Sequence, residues 1–218
     1  MITEDLKRLH EQGWFLTETF GDKELLQLAG SLGAPIRSRT AAVLIDELRP
    51  ISKSQAQPCS LSAKHGTGAF PLHTDTAHWR RPARYVLLRA VVVDEHSRST
   101  LIKDSRLFQL NALDRCLLKR AVFGVRSGRS SFLTTIVPED EKFFRFDRDC
   151  MFPKSPSAVQ ASSIVASAET SCAAVEIHWA VNRTLVLDNW RFLHGRSIGD
   201  GTDTNKRLLQ RVLVTETN

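Results

Sequence analysis

The chain has 218 residues, 42% of them hydrophobic and 25% charged, the balance expected of one soluble domain over 1–218 with a sizeable core. A formal net charge of +6 invites a nucleic-acid partner. However, the Lys and Arg residues are scattered, and the densest runs are only Arg80-Arg81 and the short stretch from Arg126 to Arg129. That pattern suits an anionic small substrate as well as it suits a phosphate backbone, and nucleic acid is not expected.

Residues 3–12 read as a short helix that Gly13 breaks, and Trp14-Phe15-Leu16-Thr17 reads as a strand. The N-terminus is charged from its fourth residue and has no apolar h-region, so a cytoplasmic protein is expected. No stretch approaches the ~20 apolar residues that cross a bilayer, and no membrane association is expected. Asp22 is the expected cap of a second helix over Lys23 to Leu32, which Gly33 and Pro35 stop. Residues 46–72 lack periodicity and are rich in Ser, Gln, Lys, Pro and Gly, the signature of a mobile loop. Strands are expected at Tyr85 to Val93, Phe132 to Val137, Ala174 to Trp179, Thr184 to Leu187 and Leu208 to Val214. Ser105 to Arg120 has helical character, and the Ser/Ala-rich stretch from Ser155 to Ser171 reads as a poorly ordered connection. Cys59, Cys116, Cys150 and Cys172 show no CxxC spacing and are expected to be reduced thiols. The fold class is mainly β with flanking α-helices, a sandwich or open barrel.

Phe70-Pro71-Leu72-His73-Thr74-Asp75 is the most informative segment. In an extended chain side chains alternate, so His73 and Asp75 point to the same side and form two corners of a metal site. His194, in Leu193-His194-Gly195-Arg196, is a third ligand candidate. Two His and one carboxylate on one face leave open positions, the set used by non-heme iron(II) oxygenases. Taken alone, a His-x-Asp is as well explained by a surface His beside a solvated Asp. His78, three residues after Asp75, would face the other way on a strand.

In the final strand, Arg207, Leu209, Arg211 and Leu213 share one face. A guanidinium on a buried face wants an anion, and a dicarboxylate would supply one. An internal Asp or Glu, or snorkelling to solvent, is the plainer alternative.

The His-Thr-Asp at 73–75, the run from Asp188 to Ser197 and the strand from Arg207 to Arg211 together resemble the taurine dioxygenase and clavaminate synthase group of 2-oxoglutarate oxygenases. Arg211 stands seventeen residues after His194, the place of the group's arginine for the distal carboxylate of 2-oxoglutarate. Arg207 is similar to a second arginine near the co-substrate. Thr100 matches a co-substrate-binding threonine, although Arg98 and Ser99 replace the group's glycines. The opening helix and strand also fit, and the likeness is thinnest from Phe123 to Ser171. The resemblance implies a double-stranded β-helix, a distorted jelly roll. It also implies Fe(II) at His73, Asp75 and His194, 2-oxoglutarate as co-substrate, and O2.

The implied activity is hydroxylation of an unactivated C–H bond, with release of succinate and CO2. Asp75 favours this over chlorination, because related halogenases carry a small residue there. Desaturation, cyclisation and epimerisation stay open. The substrate expected is small, polar and amino-acid-like, free or carrier-bound. Its candidate contacts are His65, Phe70, Leu72, Thr76, His78, Trp79 and Arg196 around the metal motif, with Arg129 and Arg145 from the thinly matched region. Trp190 and Phe192 read as core, and the loop at 46–72 as a gate. Three rival readings remain. An AlkB-like nucleic-acid demethylase wants stacking aromatics and a basic groove, which a chain with one Tyr and dispersed cations does not display. A non-catalytic binding module on the same scaffold and a zinc hydrolase are the others.

Overall fold

The computed structural model describes residues 2–38, 43–57, 60–94, 96–127, 130–198 and 207–216. In chain order the elements are α1 (Ile2–Gln12), β1 (Trp14–Glu18), α2 (Asp22–Leu32), β2 (Ala34–Ile36), β3 (Asp46–Leu48), α3 (Leu61–His65), β4 (Phe70–His73), β5 (Tyr85–Val92) and β6 (Thr100–Asp104). A 3-10 turn (Ser105–Leu107) follows, then α4 (Ala112–Arg120), β7 (Phe123–Ser127), β8 (Ser130–Thr134), β9 (Met151–Pro153), α5 (Pro156–Ser171), β10 (Val175–Ile177), β11 (Arg183–Asp188), β12 (Phe192–Arg196) and β13 (Leu208–Thr215).

Every strand pairing is antiparallel. The larger sheet runs β1-β11-β5-β13-β2, with β3 also on β13, and the smaller one runs β10-β6-β12-β4. Between them lies a core of Val86, Leu88, Ile102, Leu185, Leu187, Phe192, Leu209 and Leu213. The outer face of the larger sheet is covered by α1 and α2, whose Leu9, Leu25 and Ala29 meet Leu87, Val186, Val212 and Val214. Its central strands are buried on both faces, so they read as continuous apolar runs rather than alternating ones. A third cluster, under α4, α5 and the three-stranded sheet β8-β7-β9, joins Leu118, Phe123, Val125, Ile136 and Val165 to Leu193 of β12. Two facing antiparallel sheets with helices on the outside make the jelly roll expected from the sequence.

Several local expectations are corrected. Asp22 does not cap α2: Gly21 occupies that position, and the Asp22 carboxylate instead accepts from Arg89 (2.7 Å) and Gln210 (3.1 Å) across the larger sheet. Residues 46–72 are not one loop, since β3, α3 and the start of β4 fall within them. The strand expected from Phe132 is displaced to β8, because the chain turns away at Thr135, whose hydroxyl donates to the Val137 carbonyl (2.7 Å). The helical character of 105–120 resolves into the 3-10 turn and α4, with Asn111 and Asp114 forming a capping box. The largest correction is 155–171, which is an ordered helix. The Ser155 hydroxyl accepts from the Ala158 N–H (3.2 Å) and Pro156 sits in the first turn, where its missing N–H costs nothing. Ala158, Ala161, Val165 and Ala168 then form a narrow buried stripe. Cys116, Cys150 and Cys172 are free thiols as expected, while Cys59 lies outside the described residues.

Candidate metal and co-substrate site

The two candidate imidazoles meet because β4 and β12 are neighbours in the smaller sheet, with His73 directly opposite His194. Their ring centroids are 4.6 Å apart. The register slips between His194 and Arg196, and Gly195 sits at the slip. A Cβ on Gly195 would stand 2.6 Å from the Phe70 carbonyl oxygen, so only glycine lets the two strands close here.

His73 directs its Nδ1 at the Pro71 carbonyl (3.0 Å), an acceptor only. The proton is therefore on Nδ1 and the Nε2 lone pair is free to ligate. His194 is 7% exposed and its Nδ1 is buried without a hydrogen-bond partner among the described residues. Burial, with the His73 ring beside it, pushes its pKa down to about 3 against the opposing pull of Asp75. At neutral pH it is an uncharged imidazole, the form that binds metal.

Asp75 follows β4 at the start of a turn, held by its backbone. Its N–H donates to Asn189 Oδ1 (2.8 Å), while Asn189 Nδ2 donates to the carbonyls of Asp75 (3.0 Å) and Ala83 (2.8 Å). The Thr76 hydroxyl donates to the Asp75 carbonyl (2.6 Å) and accepts from the Ala83 N–H (2.8 Å), with Thr76 in the left-handed region at φ 56°. Thr74 is bound to Phe146 in both directions, N–H to carbonyl at 2.8 Å and N–H to hydroxyl at 3.1 Å. Asn189 is 0% exposed and is a site residue that sequence reasoning missed. It lay inside the quoted Asp188-to-Ser197 run, but no spacing rule says that it reaches back more than a hundred residues.

Burial would raise the Asp75 pKa, yet Arg211 and the two imidazoles overcome it and hold the group at about 2. Arg211 Nη1 donates to both Asp75 oxygens at 3.0 Å, and its Nη2 donates to Asp46 at 2.8 Å. Asp46 is opposite Arg211 in the pairing of β3 with β13 and also accepts from the Ser38 hydroxyl (2.7 Å). Arg211 is thus on the expected face of β13 but has internal acid partners, the plainer alternative weighed above. His194 Nε2 is 4.0 Å from Asp75 Oδ2. With the carboxylate drawn to Arg211, no three His, Cys, Asp or Glu side chains among the described residues stand in a metal-holding arrangement. The donor chemistry fits iron(II) nonetheless: two neutral imidazoles, one with an orphaned buried nitrogen, beside an ionised carboxylate.

A cavity of about 750 Å³ opens over this cluster. His73, Asp75, His194, Thr100, Arg207 and Arg211 all line it, as do Phe70, Thr76, His78 and Arg196. The buried Thr100 hydroxyl accepts from Trp179 Nε1 (3.2 Å), which leaves its own proton to donate. Burial and the neighbouring Arg98 lower the Arg207 pKa to about 10, and Arg207 donates to the Arg98 carbonyl. The structure places the other expected substrate contacts as follows. Arg196 serves the protein itself, donating to the carbonyls of Gly68 (2.7 Å) and Gly66 (2.6 Å) and stacking 3.9 Å over the Phe70 ring. His65 turns to Asp149 (2.6 Å) instead of lining the cavity. Trp79 packs against the inter-sheet core, and Leu72 against the cluster under α4 and α5. Arg145 is buried between the Phe132 and Phe143 rings and donates to the Arg80 carbonyl (2.6 Å), away from the cavity. Trp190 and Phe192 are core, as expected, and Arg129 lies outside the described residues.

No protein-family model and no curated protein matches this sequence. Solved structures do. An asparagine oxygenase in complex with Fe(II), 2S,3S-3-hydroxyasparagine and succinate aligns over 98% of this chain and 78% of that one, with a TM-score of 0.78 at 15% identity. The non-heme iron oxygenase OrfP, in complex with Fe and alpha-ketoglutaric acid, aligns over 99% and 80% with a TM-score of 0.75 at 19% identity. OrfP with Fe, succinate and (3S)-hydroxy-L-Arg gives 99% and 80%, 0.75 and 18%. The chain therefore has the fold of the non-heme iron oxygenases, a mainly β jelly roll with helices outside its sheets. No helix is long and apolar enough to cross a membrane among the described residues.

Proposed function

We propose that this chain is an Fe(II)- and 2-oxoglutarate-dependent oxygenase that hydroxylates a C–H bond of a small, amino-acid-like substrate. The observation that carries this reading is the convergence of His73, Asp75 and His194 at one cavity with Arg211 of β13 and the buried Arg207 that precedes it. The fold shared with iron oxygenases supports it, as do the hydroxyasparagine and hydroxyarginine named with those structures.

His73 Nε2, Asp75 and His194 would hold iron(II), which with 2-oxoglutarate and O2 supplies oxidation of a C–H bond as succinate and CO2 leave. The protein's part is charge placement. Asp75 is already ionised, and Arg211 sits on it. Arg211, anchored by Asp46 through Nη2, would offer Nη1 to a carboxylate of the co-substrate once Asp75 serves as a metal ligand. Thr100 offers its unused hydroxyl proton to the same anion, and Arg207 adds positive charge to that wall of the cavity.

Anaerobic addition of iron(II) and 2-oxoglutarate should produce the weak metal-to-ligand absorption band of a chelated 2-oxo acid. His73→Ala and Arg211→Ala should abolish it. No band, with no iron retained by the intact protein, would overturn the oxygenase reading and leave a binding module on an oxygenase scaffold.

A further inference from the structure

We infer that Asp147 is the specificity-determining residue for this reaction, receiving the ammonium group of the substrate. The inference rests on the oxygenase reading and adds the charge of what the cavity accepts. Asp147 lines the cavity and is only 8% exposed. Its Oδ1 accepts from the Asp149 N–H (2.8 Å), and its backbone carbonyl accepts from the N–H groups of Cys150 (3.3 Å) and Met151 (2.9 Å). Burial, with Asp147 adding to it, pushes the Cys150 pKa up, so the neighbouring sulfur stays a neutral thiol. These contacts orient the carboxylate without neutralising it. Among the described residues, no Lys, Arg or His stands within ion-pair distance of it.

The other acids around the cavity are already matched. Asp75 has Arg211, Glu47 has Arg49 at 3.1 Å, and Asp149 has Lys64 at 3.0 Å and His65 at 2.6 Å. Asp147 is the remaining carboxylate, and an ammonium that reached it would gain a charge-assisted hydrogen bond. Its position is also tied to the metal turn. The preceding residue, Phe146, is bonded twice to Thr74, which lies between His73 and Asp75. An ammonium on Asp147 would therefore be held at a set position relative to the iron ligands, as selection of one C–H bond requires. Asp149, two residues on, meanwhile clasps α3 at the rim through Lys64 and His65.

The test uses the full chain loaded anaerobically with iron(II) and 2-oxoglutarate. The common amino acids are added as probes beside the same compounds acetylated at every amino group. Binding is read as a change in the absorption band, and turnover as succinate release once O2 is admitted. The expected result is that at least one free amino acid binds and its acetylated form does not. Asp147→Asn should retain the band but weaken that binding roughly 10- to 100-fold, the loss expected of one charge-assisted hydrogen bond. Asp147→Glu should recover part of it. If Asp147→Asn binds as tightly as the parent, or the acetylated forms bind equally well, the assignment is overturned. The same holds if the loaded parent responds to no free amine. Absence of the band at the outset would overturn the oxygenase reading, and this assignment with it.

Discussion

Asn189→Ala removes one side chain that no ligand or substrate is expected to touch, and it should damage both the fold and metal binding. Asn189 makes three hydrogen bonds of 2.8 to 3.0 Å that join the turn after β4 to the residues before β5. Truncation leaves the Asp75 N–H and the carbonyls of Asp75 and Ala83 without this partner, although the Asp75 carbonyl keeps the Thr76 hydroxyl. An unsatisfied buried polar group costs about 1–3 kcal/mol, and two are left with no substitute. The expected loss is therefore about 2–6 kcal/mol, against a total stability of about 5–15 kcal/mol for a domain. Because the same bonds hold Asp75 in place, iron affinity should fall about 10- to 100-fold, as when other supports of metal ligands are removed. Urea unfolding with and without iron(II) measures both quantities on one sample. A loss below about 1 kcal/mol with unchanged iron stabilisation would refute the reasoning, showing that water or neighbouring groups replace Asn189 at no cost.

Three further outcomes are expected. His194 is neutral in the folded chain down to about pH 3, whereas the unfolded chain protonates it near 6.5. Stability from this group is thus complete above pH 6.5 and lost on acidification, by about 2–3 kcal/mol on going from pH 6.5 to 4.5, and His194→Asn should flatten that slope in urea titrations of the metal-free protein. Asp46→Asn removes the anchor of Arg211 without touching a metal ligand, so 2-oxoglutarate affinity should fall about tenfold while iron affinity holds, as measured by equilibrium dialysis. Ser155→Ala removes the cap of α5 and should cost about 1 kcal/mol, read as a lower melting temperature; no change would mean that the helix start is held by Pro156 alone.

The elements legible from sequence were those whose burial writes a period into the chain. Strands β5, β11 and β13 carry apolar runs that helices rarely match at that length, and α1 and α2 carry helical spacing with glycine stops. Helix α5 was illegible because its buried stripe is made of Ala and Val among Ser, residues too small and mixed to register as a hydrophobic face. The metal ligands were legible as a His-x-Asp and a distant His, since residue type and order carry the chemistry.

By itself, the sequence determined the donor types, the apolar runs of the central strands and the placement of Leu209, Arg211 and Leu213 on one side of β13. Only the tertiary structure decided what those side chains meet. The pairing of β4 with β12 set His73 opposite His194, and the pairing of β3 with β13 put Asp46 against Arg211. The Asn189 bonds to the turn at Asp75 and the bonding of Phe146 to Thr74 likewise join residues far apart in the chain. Each is a contact across seventy to more than a hundred and sixty residues, and local patterns hold no information on such pairings. They are selected by which strands can share hydrogen bonds and bury their faces together, a property of the folded sheets alone.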